Sequence, residues 1–596
     1  MLTHAVDESS CVSESSGHTT KAHFVGIQSE PNLPTTGRSE QSVRKAIKFY
    51  KRVGRSTVPL VTRANSCYLN SGEIINATGV KLNNFAPQKK NLSRSLQYDN
   101  ASALKYLKKA EKYEQGLQST GNLEKAFGYF RIAANKGNLE AQYKTGQYMF
   151  EGRGTEKNLS KAFEFLRLAA DQGHSEAQYQ VGYCYNYKKG TLKDLKRAAR
   201  YYKLAAKQGN DKAQYRLAKL YWKTEKNDHS AFFKYLKKAA NAGNVEAQND
   251  LGTCYFNGIA TTVDKAESVK YFQMAAAQGD SSAQYNLAQY YSVEKDWKNA
   301  FQFYESAAEG GCTKAFYCLG ECYLGGFGTK KDEQVAFDFF KTAAEKGYAL
   351  SQDKLGELYA NGIGTEKDMQ KAFHYYKLAA DQGYYLAQNA VGDCYYVGSG
   401  VEKNLTEAVR YYQMSADQQY SVALNNLAYC HFVGEGTKRS AKRALRYFLL
   451  AAEKGNADAF GNLAFFYAER GDSVKAFEYY KLAAESSHDS STLYTLGNCY
   501  FNGEGTRQDF GQAFKHYKLA AELGHSEAQY KVAYCFQKGQ GTEINLPAAA
   551  TFFSLAAGQG HELARAQLTL LNDVKKENLP GAVGFLQLLS DGTLIE

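Results

Sequence analysis

One short pattern returns about a dozen times along the 596 residues. A chain written in a single period stacks like units side by side and does not close around one central core. Ser175-Glu176-Ala177-Gln178-Tyr179 reappears as Ser526-Glu527-Ala528-Gln529-Tyr530, and Lys203-Leu204-Ala205-Ala206 as Lys377-Leu378-Ala379-Ala380. The step is 36 positions from Ala141 to Ala177, from Ala177 to Ala213 and from Ala387 to Ala423. Three steps are shorter: 34 from Ala213 to Ala247, 32 from Ala283 to Ala315 and 33 from Ala459 to Thr492. All three lack the glycine-rich turn found in the other units, so the loop varies while a pair of helices stays constant.

The first helix of each unit carries Ala-Gln-Tyr-x-Leu-Gly-x-x-Tyr, with small and apolar residues at i, i+4 and i+8 on one inward stripe. Gly146, Gly182, Gly252, Gly320, Gly356, Gly392 and Gly497 share one position in it. A glycine in mid-helix costs about 1 kcal/mol against alanine, so this position predicts a close helix crossing. A Gly-x-Gly-Thr turn follows, as in Gly362 to Thr365 and Gly503 to Thr506, where glycine permits positive φ. A short polar residue then caps the second helix, for example Asn158, Asp194, Asn227, Asp368, Asn404 or Asp509. The second helix reads Lys-Ala-x-x-Tyr-Tyr-x-x-Ala-Ala and closes on a glycine such as Gly173, Gly383 or Gly524.

Taken together, these motifs resemble the SEL-like repeat family (Sel-one-like, or SLR), a relative of the tetratricopeptide repeat. The resemblance covers residues 138–561, with weaker units at both ends. It implies an all-α fold, a right-handed α-solenoid or superhelix of about twelve helix-turn-helix repeats, and a non-enzymatic adaptor role. Where the family often has Trp before the second-helix Tyr, this chain has Tyr or Phe. The expected organisation is a basic, disordered, Ser/Thr/Asn-rich extension over 1–97, a degenerate capping repeat over 98–137, the solenoid over 138–561, and a capping helix and tail over 562–596.

Composition narrows the classes further. Mean hydropathy is −0.53 and no run of about 18 apolar residues occurs, so no membrane span is expected. The first residues lack the basic and apolar segments of a secretory signal. Cys184, Cys254, Cys322, Cys394, Cys430, Cys499 and Cys535 occupy one repeat position. Neighbouring helices sit near 10 Å apart, too far for a disulfide, so these read as small buried hydrophobes. Free thiols at this density point to a reducing, cytoplasmic location, with export through a C-terminal signal as the other reading. Cys312, Cys318 and Cys322 form the best metal candidate, but they lack His and CxxC spacing, so no metal and no cofactor is expected.

Formal net charge is +12. Residues 41–95 hold 11 basic residues and one acidic, Glu73, which places the basic excess in the extension and not along the stack. Residues 43–55, with Lys45, Lys48 and Arg52, read as a contact for an anionic membrane or nucleic acid, or as a solvated tail. No GxxxxGK[ST] or HExxH occurs, and like residues recur along the chain without converging on a reaction centre.

In tetratricopeptide geometry the first helices line the concave face. Transferred here, that gives a row of Tyr143, Tyr179, Tyr215, Tyr285 and Tyr317, resumed by Tyr494 and Tyr530, with Asp353, Glu357 and Asp393 as an acidic centre. Tyrosine offers contact area with one polar tip, which suits an interface or family packing. The acidic centre suits a basic or helical segment of a partner, including the chain's own extension. The expected function is a protein–protein interaction scaffold. Other readings are a regulatory subunit of a membrane or envelope enzyme, a secreted effector, a hydrolase, or nucleic-acid binding through the extension.

Overall fold

The computed structural model describes residues 93–116, 120–223, 228–487 and 489–576. Every element among them is helical, and they fall into two compact units that meet in sequence at Asp332 and Glu333. The first unit starts with α1 (Ser93–Gln115), α2 (Thr120–Asn135), α3 (Leu139–Glu151), α4 (Leu159–Asp171), α5 (Ser175–Tyr187) and α6 (Leu195–Lys207). It continues with α7 (Asp211–Lys223), α8 (His229–Asn241), α9 (Val245–Asn257), α10 (Lys265–Ala276), α11 (Ser281–Val293), α12 (Trp297–Glu309) and α13 (Thr313–Gly325). The second unit holds α14 (Glu333–Glu345), α15 (Ala349–Asn361), α16 (Met369–Asp381), α17 (Tyr385–Val397), α18 (Leu405–Asp417), α19 (Ser421–Val433) and α20 (Ala441–Glu453). It ends with α21 (Ala457–Ala468), α22 (Ser473–Ser487), α23 (Ser490–Asn502), α24 (Phe510–Glu522), α25 (Ser526–Lys538), α26 (Leu546–Gly558) and α27 (Glu562–Lys576). Odd numbers are first helices of a repeat and even numbers second helices. Within each unit every helix packs on the next in sequence, the arrangement of an α-solenoid.

The mid-helix glycine is explained by what fills its place. A Cβ at Gly182 would stand 2.7 Å from the Tyr202 ring, and at Gly392 it would stand 2.6 Å from the Tyr412 ring. Gly252 meets Phe272 and Gly497 meets Tyr517 in the same way. The missing side chain therefore seats an aromatic ring from the second helix; the close approach is ring to backbone. The Ala-Ala pairs bury completely, as at Ala239 and Ala240, and keep the opposite side of that helix thin for the next repeat.

The turn glycines have a second role besides positive φ. In Gly398-Ser399-Gly400, a Cβ on Gly400 would lie 1.9 Å from the carbonyl oxygen of Met369, the first residue of the preceding second helix. Gly541 meets Phe510 at the same distance. Each turn thus rests on the backbone of the repeat before it. One turn lacks this glycine: Ala260 takes the place and still adopts φ 58°.

The polar caps form as the spacing predicts. Asp194 accepts the Arg197 N–H at 2.9 Å and Asp368 the Lys371 N–H at 2.9 Å. One assignment is corrected. The cap of α8 is Asp228, which accepts the Ala231 N–H at 2.9 Å, and Asn227 lies outside the described residues. At the start, α1 begins at Ser93, ahead of the expected boundary at 98. Residues 1–92, with the basic segment 43–55, lie outside the described residues, as does the tail from 577. Among the described residues no helix is long and apolar enough to cross a membrane.

Candidate partner-binding faces

The buried Gln of Ala-Gln-Tyr ties three helices together. Gln178 donates to the Ala170 carbonyl at 3.1 Å, at the end of α4, and accepts from Gln208 of α6 at 2.8 Å. Gln388 repeats this with Ala380 at 3.3 Å and Gln418 at 2.9 Å. Where the partner glutamine is replaced by Ala242, the Oε1 atom of Gln214 is left without a hydrogen bond. The most recurrent polar residue of the motif is therefore structural.

The residue after this glutamine is the position expected to line a groove. Tyr143, Tyr179, Tyr285, Tyr317, Tyr494 and Tyr530 are half-buried, while Tyr215 is buried. Several stack on the residue that caps the next first helix. The Tyr143 and His174 rings lie 4.4 Å apart, Tyr494 and His525 4.7 Å, and Tyr530 and His561 4.6 Å. These histidines are N-caps: His174 Nδ1 accepts the Ala177 N–H at 3.1 Å, and its other nitrogen faces Glu140 at 3.2 Å. Tyr215 donates to Asp250 at 2.9 Å, which also receives Lys219 at 2.9 Å. Tyr143, Tyr215, Tyr494 and Tyr530 thus serve contact between repeats, while Tyr179 and Tyr285 pack on Tyr202 and Tyr304 of their own repeats.

Asn249 also belongs to this row and interrupts the tyrosines of the first unit. It accepts from Asn286 of α11 at 2.8 Å. Asn389 accepts from Asn426 at 3.2 Å and Asn425 from Asn462 at 2.8 Å, so successive first helices are joined directly by side-chain amides. Sequence reasoning passed over Asn286, Asn426 and Asn462; an Asn at row position in one unit with an Asn one residue later in the next was the available signal.

The acidic centre divides in two. Asp393 accepts the Tyr412 hydroxyl at 2.7 Å, Asn389 at 2.9 Å and Asn426 at 3.4 Å. Burial pushes its carboxyl up to about 7 even though the Tyr412 bond acts in the other direction. Asp393 is the hub of an internal network. Asp353 makes no hydrogen bond among the described residues and is only half-buried. Its carboxyl is also raised to about 7, by burial and then by the charge of Glu357, against the opposing Lys354. Glu357 pairs with Lys354 at 3.0 Å and keeps a side-chain exposure of 42%. The part of the centre that neighbouring repeats do not enclose is thus Asp353 with Glu357.

The cysteines behave as packing residues. Cys184, Cys254, Cys394, Cys430 and Cys535 are buried, and burial pushes each thiol up to about 12. Gln289 points its amide at Cys318 Sγ at 3.5 Å. Among the described residues no group of three His, Cys, Asp or Glu side chains is placed to hold a metal ion.

Comparison with known proteins agrees with this architecture. The protective antigen c5321 of uropathogenic Escherichia coli, a protein with an SLR fold, is 27% identical, with a TM-score of 0.56. The match covers 78% of this chain and 93% of that one. The DAP3-binding cell death enhancer 1 of Mus musculus is 40% identical over 177 residues, 29% of this chain. A sel1-like repeat-containing protein of Acanthamoeba polyphaga mimivirus is 32% identical over 89 residues, 15% of this chain. The chain spans only 35% of the mouse protein and 17% of the viral one. The Sel1 repeat model matches residues 113–138, 139–174, 175–210, 211–244, 245–280, 281–312 and 317–348. It matches again over 349–384, 386–420, 421–456, 462–488, 490–525 and 526–561. With these segments covering most of its length, the chain belongs to the Sel1 repeat family.

Proposed function

We propose that the chain is a non-catalytic scaffold that holds protein segments along the face formed by its first helices. The observation that carries this reading is the half-buried Asp353, a carboxyl without a hydrogen bond among the described residues, in a row whose Asn249, Asn389 and Asn425 are bonded to neighbouring repeats. A partner lysine or arginine would supply the missing bonds, and charge-assisted bonds are the stronger kind. Within the second unit the partly open rings of Tyr494 and Tyr530 add contact area; in the first unit Tyr143, Tyr179, Tyr285 and Tyr317 offer the same, and Tyr215 adds little because it is buried. The preferred partner is therefore a basic or helical polypeptide segment. The mouse relative is by name a DAP3-binding protein, which is in keeping with a protein partner here. The likeness covers a part of that protein, and its partner is not transferred. A cytoplasmic setting accords with the buried free thiols.

Capture from the native host with the full chain tests this. A variant with Asp353→Asn and Glu357→Gln should lose partners that the wild type retains. Asp393→Asn alone should retain them, because Asp393 faces its own network. Equal capture by all three proteins would contradict the proposal.

A further inference from the structure

The basic excess of the chain has a second location that the extension conceals. Residues 188–238 carry 16 Lys and Arg against 4 Asp and Glu, a difference of 12 that equals the formal net charge of the whole chain. This corrects the expectation that basic residues are not concentrated along the stack.

The repeat register shows how these charges are displayed. On most second helices the last residue of the outer stripe is acidic: Asp171, Glu309, Glu345, Asp381, Asp417 and Glu453. In α16 this acid pairs within its own helix, Asp381 receiving Lys377 at 2.6 Å. On α6 the position is Lys207. The stripe there reads Lys196, Arg200, Lys203 and Lys207, at i, i+4, i+7 and i+11, and all four are exposed. None of them pairs with a carboxylate among the described residues. They follow one another at about 4.5–6 Å along the axis, a row about 16 Å long. The neighbouring α8 adds exposed Lys234, Lys237 and Lys238.

The row lines a shallow groove floored by Ala199, Leu204 and Tyr221. The Tyr221 ring is stacked on Tyr235 of α8, with centroids 5.8 Å apart. We infer that this α6–α8 outer face binds the phosphate backbone of a single-stranded nucleic acid, independently of base sequence. A cationic groove with an aromatic floor is the arrangement that tracks such a strand. An anionic membrane fits less well, because it is read by apolar residues projecting among the cations. The exposed Leu204 recurs as Leu378 and Leu519 on outer faces without this charge. These leucines belong to the repeat and not to the basic face.

The test is fluorescence anisotropy of a labelled 20-nucleotide polyuridine RNA with the full chain. The wild type should bind at 50 mM salt. With four neutralised phosphates, affinity should fall by roughly fiftyfold at 200 mM, from a slope of about −0.7 per phosphate. Lys196→Glu, Arg200→Glu, Lys203→Glu and Lys207→Glu together should weaken binding at least about tenfold and flatten the salt slope. The matching four glutamine substitutions should act in the same direction, which separates lost charge from damage by reversal. Lys442→Glu with Arg446→Glu on α20, and Lys45→Glu with Lys48→Glu and Arg52→Glu in the extension, should leave binding within about twofold. Circular dichroism and the thermal midpoint should be unchanged in all variants. The inference is overturned by no binding at 50 mM salt or by binding that survives the α6 substitutions. It is equally overturned if phosphatidylserine vesicles or polyglutamate bind this face and the RNA does not.

Discussion

The first-helix row of the second unit and the outer face of α6 are built from the same repeat, yet their charges are treated in opposite ways. Along the row, Asp393 is enclosed by Tyr412, Asn389 and Asn426, and amide pairs connect one first helix to the next. On α6, four successive cations stand exposed and pair with no carboxylate among the described residues. The difference teaches that a charged residue in a repeat protein is not in itself a sign of a binding surface. What marks the surface is a charge that the neighbouring repeat leaves unanswered. By that measure Asp353 resembles the α6 cations more than it resembles Asp393, its counterpart in the acidic centre.

The comparison can be broken most forcefully from the enclosed side. Gly392→Leu forces a side chain onto the Tyr412 ring, and overpacking of this kind should destabilise the second unit by about 3 kcal/mol. Urea unfolding followed by circular dichroism measures it, and a loss under about 0.5 kcal/mol would show that the ring is free to move aside. Gln388→Leu removes two buried hydrogen bonds, to the Ala380 carbonyl and from the Gln418 amide, of about 1 kcal/mol each, and should cost about 2 kcal/mol in the same assay while both groups keep their bonds to Gly383.

Asp393→Asn sharpens the contrast through pH. The folded pKa of Asp393 is raised to about 7, above its unfolded value, so the native state holds its proton where the unfolded chain has released it. Stability from this group is full at low pH and declines as pH rises toward 7. The second unit should therefore melt higher at pH 6 than at pH 8, and Asp393→Asn should reduce that difference while keeping an acceptor for Tyr412. Identical melting of wild type and variant at both pH values would mean that the carboxylate is not held as described. The smallest effect touches neither face. Ala260→Gly relieves a positive φ at the turn and should stabilise by about 1 kcal/mol, read from the denaturation midpoint.

Most of the fold was legible because the repeat writes it many times over. The period, the Gly-x-Gly turns and the capping residues each have a local physical cause, and the structure places nearly all of them where the spacing does. Asp228 escaped because the loop before α8 is one of the shortened ones, and the register slips there. The site was less legible. Glutamine in Ala-Gln-Tyr looks like a surface residue until the Ala170 carbonyl and Gln208 are known to surround it. Asp353 stands at the tyrosine position of the row and Asp393 one helical turn beyond it, and the sequence does not show that Tyr412, Asn389 and Asn426 close around the second. The α6 face was hidden by averaging. Charge counted over the whole stack cancels between a strongly basic stretch and acidic neighbours, and only the repeat register shows Lys207 standing where an acid is usual.

The affinity of a lysine-rich helical peptide for the full chain, measured by calorimetry at pH 6 and pH 8, tests the proposed role of Asp353 most directly. With the carboxyl at about 7, binding should be about tenfold tighter at pH 8, and Asp353→Asn should abolish the difference. Equal affinity at both pH values in the wild type, or a pH dependence that persists in Asp353→Asn, would contradict the account.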